Sequence, residues 1–150
     1  MKIENTGLVN TTSGLKAKRC TCSLYMTEQC NLKCIYCYEH IKRDKVLPFE
    51  VAKDAIISTF KRAREENVEY VEILFHGGEP FLAFDMIKKI CEWLWSREWS
   101  CKYICFATTN GTLVHGEIKE WLLKNFDNPC LILYALYPFQ VCPVFYDLNH

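Results

Sequence analysis

Apolar residues along this chain switch between two spacings, and the switches mark out three repeats of strand, loop and helix. Thr21 to Thr27 (TCSLYMT) alternates, with Cys22, Leu24 and Met26 on one side, the period of a half-buried strand. From Phe49 to Glu66 the positions Val51, Ala52, Ala55, Ile56, Phe60 and Ala63 follow helical spacing, with Pro48 placed to start the helix. Tyr70 to Phe75 (YVEILF) predicts a second strand, ended by His76-Gly77-Gly78-Glu79-Pro80. A second helix is expected from Asp85 to Glu98, burying Ile87, Ile90, Cys91 and Leu94. Tyr103 to Thr108 (YICFAT) reads as a third strand, closed by Thr109-Asn110-Gly111, and His115 to Phe126 as a third helix on Ile118, Trp121 and Leu122.

Mostly apolar strands that alternate with helices argue for an α/β fold of parallel strands with covering helices. In such folds ligands gather at the carboxyl ends of the strands. The three unusual loops all come after strands, so they are expected to share one rim. After Asn128 the rhythm breaks. Leu131 to Tyr137 can form a fourth strand, but Pro138 and Pro143 interrupt the residues beyond it, and from Asn128 onward Asp147 is the only charged residue. A membrane span there is disfavoured by Gln140 and the prolines.

Composition narrows the class. At 150 residues, 50% apolar and 24% charged, the chain suits one globular domain. Eighteen basic residues balance eighteen acidic ones, so no nucleic acid and no membrane surface is called for. The short clusters Lys16 to Arg19 and Lys42 to Lys45 read as solvated surface. Ten cysteines would suggest disulfides in a secreted chain. Met1 to Arg19 has no apolar run of signal length, however, and reads as a leader. The expectation is a reducing cytoplasm, with thiols that bind metal or fill a core.

The chemistry concentrates in CNLKCIYC, where Cys30, Cys34 and Cys37 stand at C-x3-C-x2-C spacing just after the first strand. Three thiolates on one loop can converge on a single metal centre. A [4Fe–4S] cluster takes four cysteines as a rule. A three-cysteine loop leaves one iron open to substrate or cofactor, as catalytic zinc keeps one position free. The alternative is a zinc half-site completed by His40 or Cys22. Cys20 and Cys22 share a strand face and read as packing before metal binding. Cys91, Cys101, Cys105, Cys130 and Cys142 are scattered and form no second cluster. His76 reads as structural, and Trp93, Trp95 and Trp99 as packing.

These residues resemble the radical S-adenosylmethionine (SAM) superfamily. The C-x3-C-x2-C loop with Tyr36 before its third cysteine looks like that family's cluster motif, and Gly77-Gly78-Glu79-Pro80 is similar to its second signature. Thr109-Asn110-Gly111-Thr112-Leu113 resembles the corresponding turn of the peptide- and sulfatase-maturing, SPASM-type members. The resemblance covers about residues 20 to 126. It implies the N-terminal portion of a partial (β/α)6, TIM-like barrel. Cys30, Cys34 and Cys37 would ligate three irons, and the fourth iron would hold SAM. The SAM contacts it implies are Tyr36 beside the adenine, Gly77, Gly78, Glu79 and Pro80 at the ammonium, and Thr109 and Asn110 on the rim. The implied activity is reductive SAM cleavage for peptide or protein modification, with a peptide or protein substrate and an electron donor as partners.

Length is the departure from that pattern. Six strand–helix units make the family's core, and this chain holds three with a further strand. The expected organisation is a leader at 1–19, a truncated core at 20–128, and a fourth strand with an irregular tail at 129–150. A second chain supplying the missing strands is an expected partner. A non-catalytic zinc- or cluster-binding module is the alternative function.

Overall fold

A computed structural model of the chain describes residues 18–35, 37, 39, 42–125, 131–137 and 140–142, the last two stretches as backbone only. Its elements are β1 (Arg19–Thr27), α1 (Phe49–Glu65), β2 (Tyr70–Gly77), α2 (Phe84–Trp95), β3 (Lys102–Thr109), α3 (Gly116–Lys124), β4 (Leu131–Tyr137) and β5 (Gln140–Cys142). They build one sheet in the order β1-β2-β3-β4-β5. The first three pairings are parallel and the last is antiparallel. The expected α/β architecture of parallel strands and covering helices is the one observed. Within the stretch expected to be irregular, β5 turns back on β4 at Tyr137↔Gln140.

Register explains the core. Cys22, Ile73 and Cys105 lie in one row across β1, β2 and β3, and Leu24, Phe75 and Ala107 lie in the next. All six are buried. Because side chains alternate along a strand, both rows point to the face on which the helices pack. Against them α1 buries Ala52, Ile56, Phe60 and Ala63, and α2 buries Ile87, Ile90, Cys91 and Leu94. Each fully buried Ile, Leu or Phe side chain among these contributes about 1.5–3 kcal/mol. The opposite face is more open. There Arg19 reaches Glu72 at 3.0 Å, and the Thr21 hydroxyl donates to the same carboxylate.

The helix ends have local causes. Pro48 sits at the cap of α1 in extended conformation, and Arg62 and Arg64 in its last turn complement the helix dipole. Asn67 takes a left-handed φ of 49°, and the Val68 N–H closes onto the Ala63 carbonyl, steering the chain into β2. The second helix stops three residues short of the expected Glu98. Ser96 caps it, its N–H on the Glu92 carbonyl and its hydroxyl on the Trp93 carbonyl. Trp99 then folds back, donating from its indole to the Leu94 carbonyl and stacking on Phe60 at 4.1 Å. Trp93 packs edge-on against Trp99, and Trp95 stacks on Trp121, so the tryptophans are packing groups. The third helix is shorter than expected and begins at Gly116, whose φ is +52°. Among the described residues no helix is long and apolar enough to cross a membrane.

Candidate functional site

Three loops leave the carboxyl ends of β1, β2 and β3, and hydrogen bonds join them into one structure. After β1 the chain runs through the cysteines and returns, with Thr27 bridged to Val46 and the Leu47 N–H on the Met26 carbonyl. Inside this loop Gln29 donates to Asp44 at 2.8 Å, Arg43 pairs with Glu28, and Lys42 reaches the Leu32 carbonyl. Cys30, Cys34 and Cys37 are all free and half-buried. A turn brings the Cys37 N–H onto the Cys34 carbonyl at 3.1 Å, and the Cys37 thiol faces the Glu39 carbonyl. The Cys30 sulfur accepts the Leu32 N–H at 3.4 Å. Among the described residues, no three His, Cys, Asp or Glu side chains are gathered closely enough to hold a metal ion. The three thiols therefore share a loop without converging on one point.

The glycine turn sits directly against the exit of β1. The Gly78 N–H donates to the Thr27 carbonyl at 2.8 Å, and the Glu79 N–H donates to the Gln29 carbonyl at 2.7 Å. A Cβ on Gly77 would lie 2.4 Å from the Thr27 oxygen, and one on Gly78 only 2.1 Å from the Gln29 oxygen. Gly77 also has a φ of +137°, which side chains other than glycine rarely adopt. The missing side chains thus let two backbone segments touch.

Glu79 is fully buried. One carboxylate oxygen accepts the Phe81 N–H at 3.1 Å and the Thr109 hydroxyl at 2.7 Å; the other accepts the Asn110 N–H at 2.8 Å. This one side chain caps the 3-10 turn Pro80–Ala83 and ties the turn after β2 to the turn after β3. Thr109, expected on the rim, is buried instead with its hydroxyl on Glu79, and Pro80 is buried too. Asn110 does reach the cysteine loop. Its amide nitrogen donates to Asn31 Oδ1 at 2.9 Å and faces the Cys30 sulfur at 3.8 Å. Tyr36 and His40 lie outside the described residues.

Two members of this network, Asn31 and Thr112, were not singled out from the sequence. Asn31 donates to the Thr112 hydroxyl at 2.7 Å, and that hydroxyl donates to Asn110 Oδ1 at 2.7 Å. Asn31 carried a signal, a polar residue between two cysteines, but its partner lies 81 positions away. His76 packs edge-on against Tyr25 at 5.2 Å; burial pushes its imidazole below the ordinary value, and Glu39 opposes the shift. The remaining described thiols are different in kind. Cys22 lies in the core, in one row with Ile73 and Cys105, and burial pushes its thiol up. Cys91 is pushed up by its hydrogen bond to Cys105 and by burial, and Cys101 by burial.

The linked loops can be set beside known proteins. Residues 24–134 match the radical SAM superfamily. The chain belongs to that superfamily. It is 36% identical over 97 residues to an uncharacterised protein of Methanocaldococcus jannaschii, covering 65% of this chain and 32% of that one. It is 32% identical over 101 residues to a cysteine-type anaerobic sulfatase-maturating enzyme of Clostridium perfringens, covering 64% of this chain and 27% of the enzyme. The solved structure of anSMEcpe with bound AdoMet and a Kp18Cys peptide superimposes with a TM-score of 0.56 at 28% identity, over 71% of this chain and 30% of that one. This radical SAM chain thus spans about a third or less of the length of the relatives it matches.

Proposed function

We propose that the chain holds a [4Fe–4S] cluster on Cys30, Cys34 and Cys37 and S-adenosylmethionine beside it, as the cluster-binding part of a peptide- or protein-modifying enzyme. The observation that carries this reading is a loop with three free, half-buried thiols at C-x3-C-x2-C spacing, tied through Thr27 and Gln29 to the turn after β2 and through Cys30 to the turn after β3. The donor set fits the group: three soft sulfur ligands suit an iron–sulfur cluster and leave one iron without a protein thiolate. When bound, the pair supplies one-electron reductive cleavage of the sulfonium C–S bond, yielding methionine and a 5′-deoxyadenosyl radical that takes hydrogen from a substrate.

The protein's own part is position and exclusion of water. Glu79 accepts three hydrogen bonds that fix the turn, so that backbone carbonyls of Gly77 to Pro80 can accept from the ammonium of SAM without reorganising. Asn110 stays on the rim with its amide toward the cysteine loop, whereas Thr109 serves by bracing Glu79. Tyr36 is assigned to the adenine on the family resemblance alone. Likeness to a sulfatase-maturating enzyme, and to a structure solved with a bound peptide, supports a peptide or protein substrate. An electron donor, a second chain supplying further strands and a reducing compartment such as the cytoplasm belong to the same proposal.

Anaerobic reconstitution with iron and sulfide tests the proposal. The expected product is a brown protein with about four irons per chain, the content of one cubane cluster, that releases methionine from SAM under a strong reductant. Replacing Cys30, Cys34 and Cys37 together by alanine is expected to abolish iron uptake. Iron uptake unchanged in that variant, or stoichiometric zinc with no cluster in the wild type, would sink the reading and leave a non-catalytic zinc module.

A further inference from the structure

We propose that Asn110 is a positioning residue that donates an N–H···S hydrogen bond to Cys30 and thereby sets the reduction potential of the centre held there. The inference rests on the cluster assignment above and deepens it. The amide of an asparagine is ambiguous in orientation until its neighbours are counted. Here they decide it. The Thr112 backbone N–H, which can only donate, points at Asn110 Oδ1 from 3.0 Å. The Thr112 hydroxyl donates to the same oxygen and accepts from Asn31, closing a ring of three side chains. The oxygen of Asn110 is thus committed to Thr112, and its nitrogen must face the cysteine loop. One amide proton goes to Asn31 Oδ1 at 2.9 Å; the other is left for the Cys30 sulfur at 3.8 Å. The Asn110 backbone is pinned as well, its N–H on the buried Glu79 carboxylate at 2.8 Å.

Cys30 therefore receives two donors, Leu32 N–H from its own loop and Asn110 from the end of β3, 80 positions away. Hydrogen bonds to cluster sulfurs are among the factors that set the potential. They favour the more negative, reduced state, in which the sulfur is the better acceptor. Removing the donor makes one-electron reduction harder. Replacing it by a carboxylate makes it harder still, since a negative charge then faces the sulfur.

The test is an EPR-monitored titration with dithionite and mediators on the reconstituted full chain, wild type against Asn110→Leu and Asn110→Asp. Loss of the donor in Asn110→Leu is expected to make reduction roughly three- to tenfold less favourable, tenfold being about 59 mV for one electron. Asn110→Asp keeps the size and the acceptor for Thr112, and is expected to shift further in the same direction. A purely structural role predicts the reverse order, with the near-isosteric Asp milder than Leu. The rate of iron loss to a chelator gives a second readout, faster in both variants. A wild-type chain that takes up no iron overturns the cluster reading and this inference together. A loaded wild type whose variants both reduce within twofold of it, or shift in the structural order, overturns the role of Asn110 alone.

Discussion

Removing the Glu79 side chain tests whether the three-loop arrangement depends on one buried carboxylate. Glu79→Ala orphans the Phe81 N–H, the Asn110 N–H and the Thr109 hydroxyl, all within 3.1 Å of its oxygens. A buried donor left unpaired costs about 1–3 kcal/mol. Three at the low end give about 3 kcal/mol, and the hydroxyl can swing toward another acceptor, so the three do not simply add. Relief from desolvating the carboxylate works the other way and holds the sum to the low end. The expected loss is therefore about 3 kcal/mol, or roughly 6–12 °C in Tm at this size. Glu79→Gln keeps one acceptor oxygen but sets an NH2 group against an N–H, for about 2 kcal/mol. Thr109→Val removes one bond and leaves two, for about 1 kcal/mol. Guanidinium unfolding followed by tryptophan fluorescence reads the series, ordered Ala, Gln, then Val. A Glu79→Ala variant within about 0.5 kcal/mol of wild type, the range of ordinary surface changes, would refute the hub.

Gly78→Ala puts a Cβ 2.1 Å from the Gln29 oxygen and is expected to cost about 2–3 kcal/mol in denaturant unfolding, whereas Gly116→Ala, with nothing within 4 Å of its Cβ, carries only the backbone strain of about 1 kcal/mol. His76 has a folded pKa below its ordinary value, so as pH falls the unfolded state takes the proton first and stability drops below about pH 6.5. The unfolding midpoint should decline between about pH 7.5 and 5.5, and His76→Phe, which keeps an aromatic edge for Tyr25, should decline less; equal slopes would exclude the assignment. Cys91→Ala and Cys105→Ala are expected to lower stability by about 1–2 kcal/mol through lost packing, while iron per chain in the reconstitution assay stays at the wild-type value.

Much of this molecule can be read without coordinates. Alternating apolar positions at Cys22, Leu24 and Met26, and helical spacing from Ala52 to Ala63, are local periodicities, and each determines which face of an element is buried. The three loops, their places after the strands and the three cysteines are likewise local signals, and motif spacing was enough to point to the superfamily. The ends of helices were less legible because Ser96 and the back-folded Trp99 stop α2 through contacts that periodicity does not record. The partners of the loops were out of reach altogether. Gly77 and Gly78 suggest close approach to something, but only the packed strands reveal the Thr27 and Gln29 carbonyls as what they approach. Glu79 meets Thr109 across 30 positions, and Asn110 meets Cys30 across 80. Such pairings are decided by the parallel register of β1, β2 and β3, because that register alone determines which strand ends become neighbours and which buried donors a single carboxylate must satisfy.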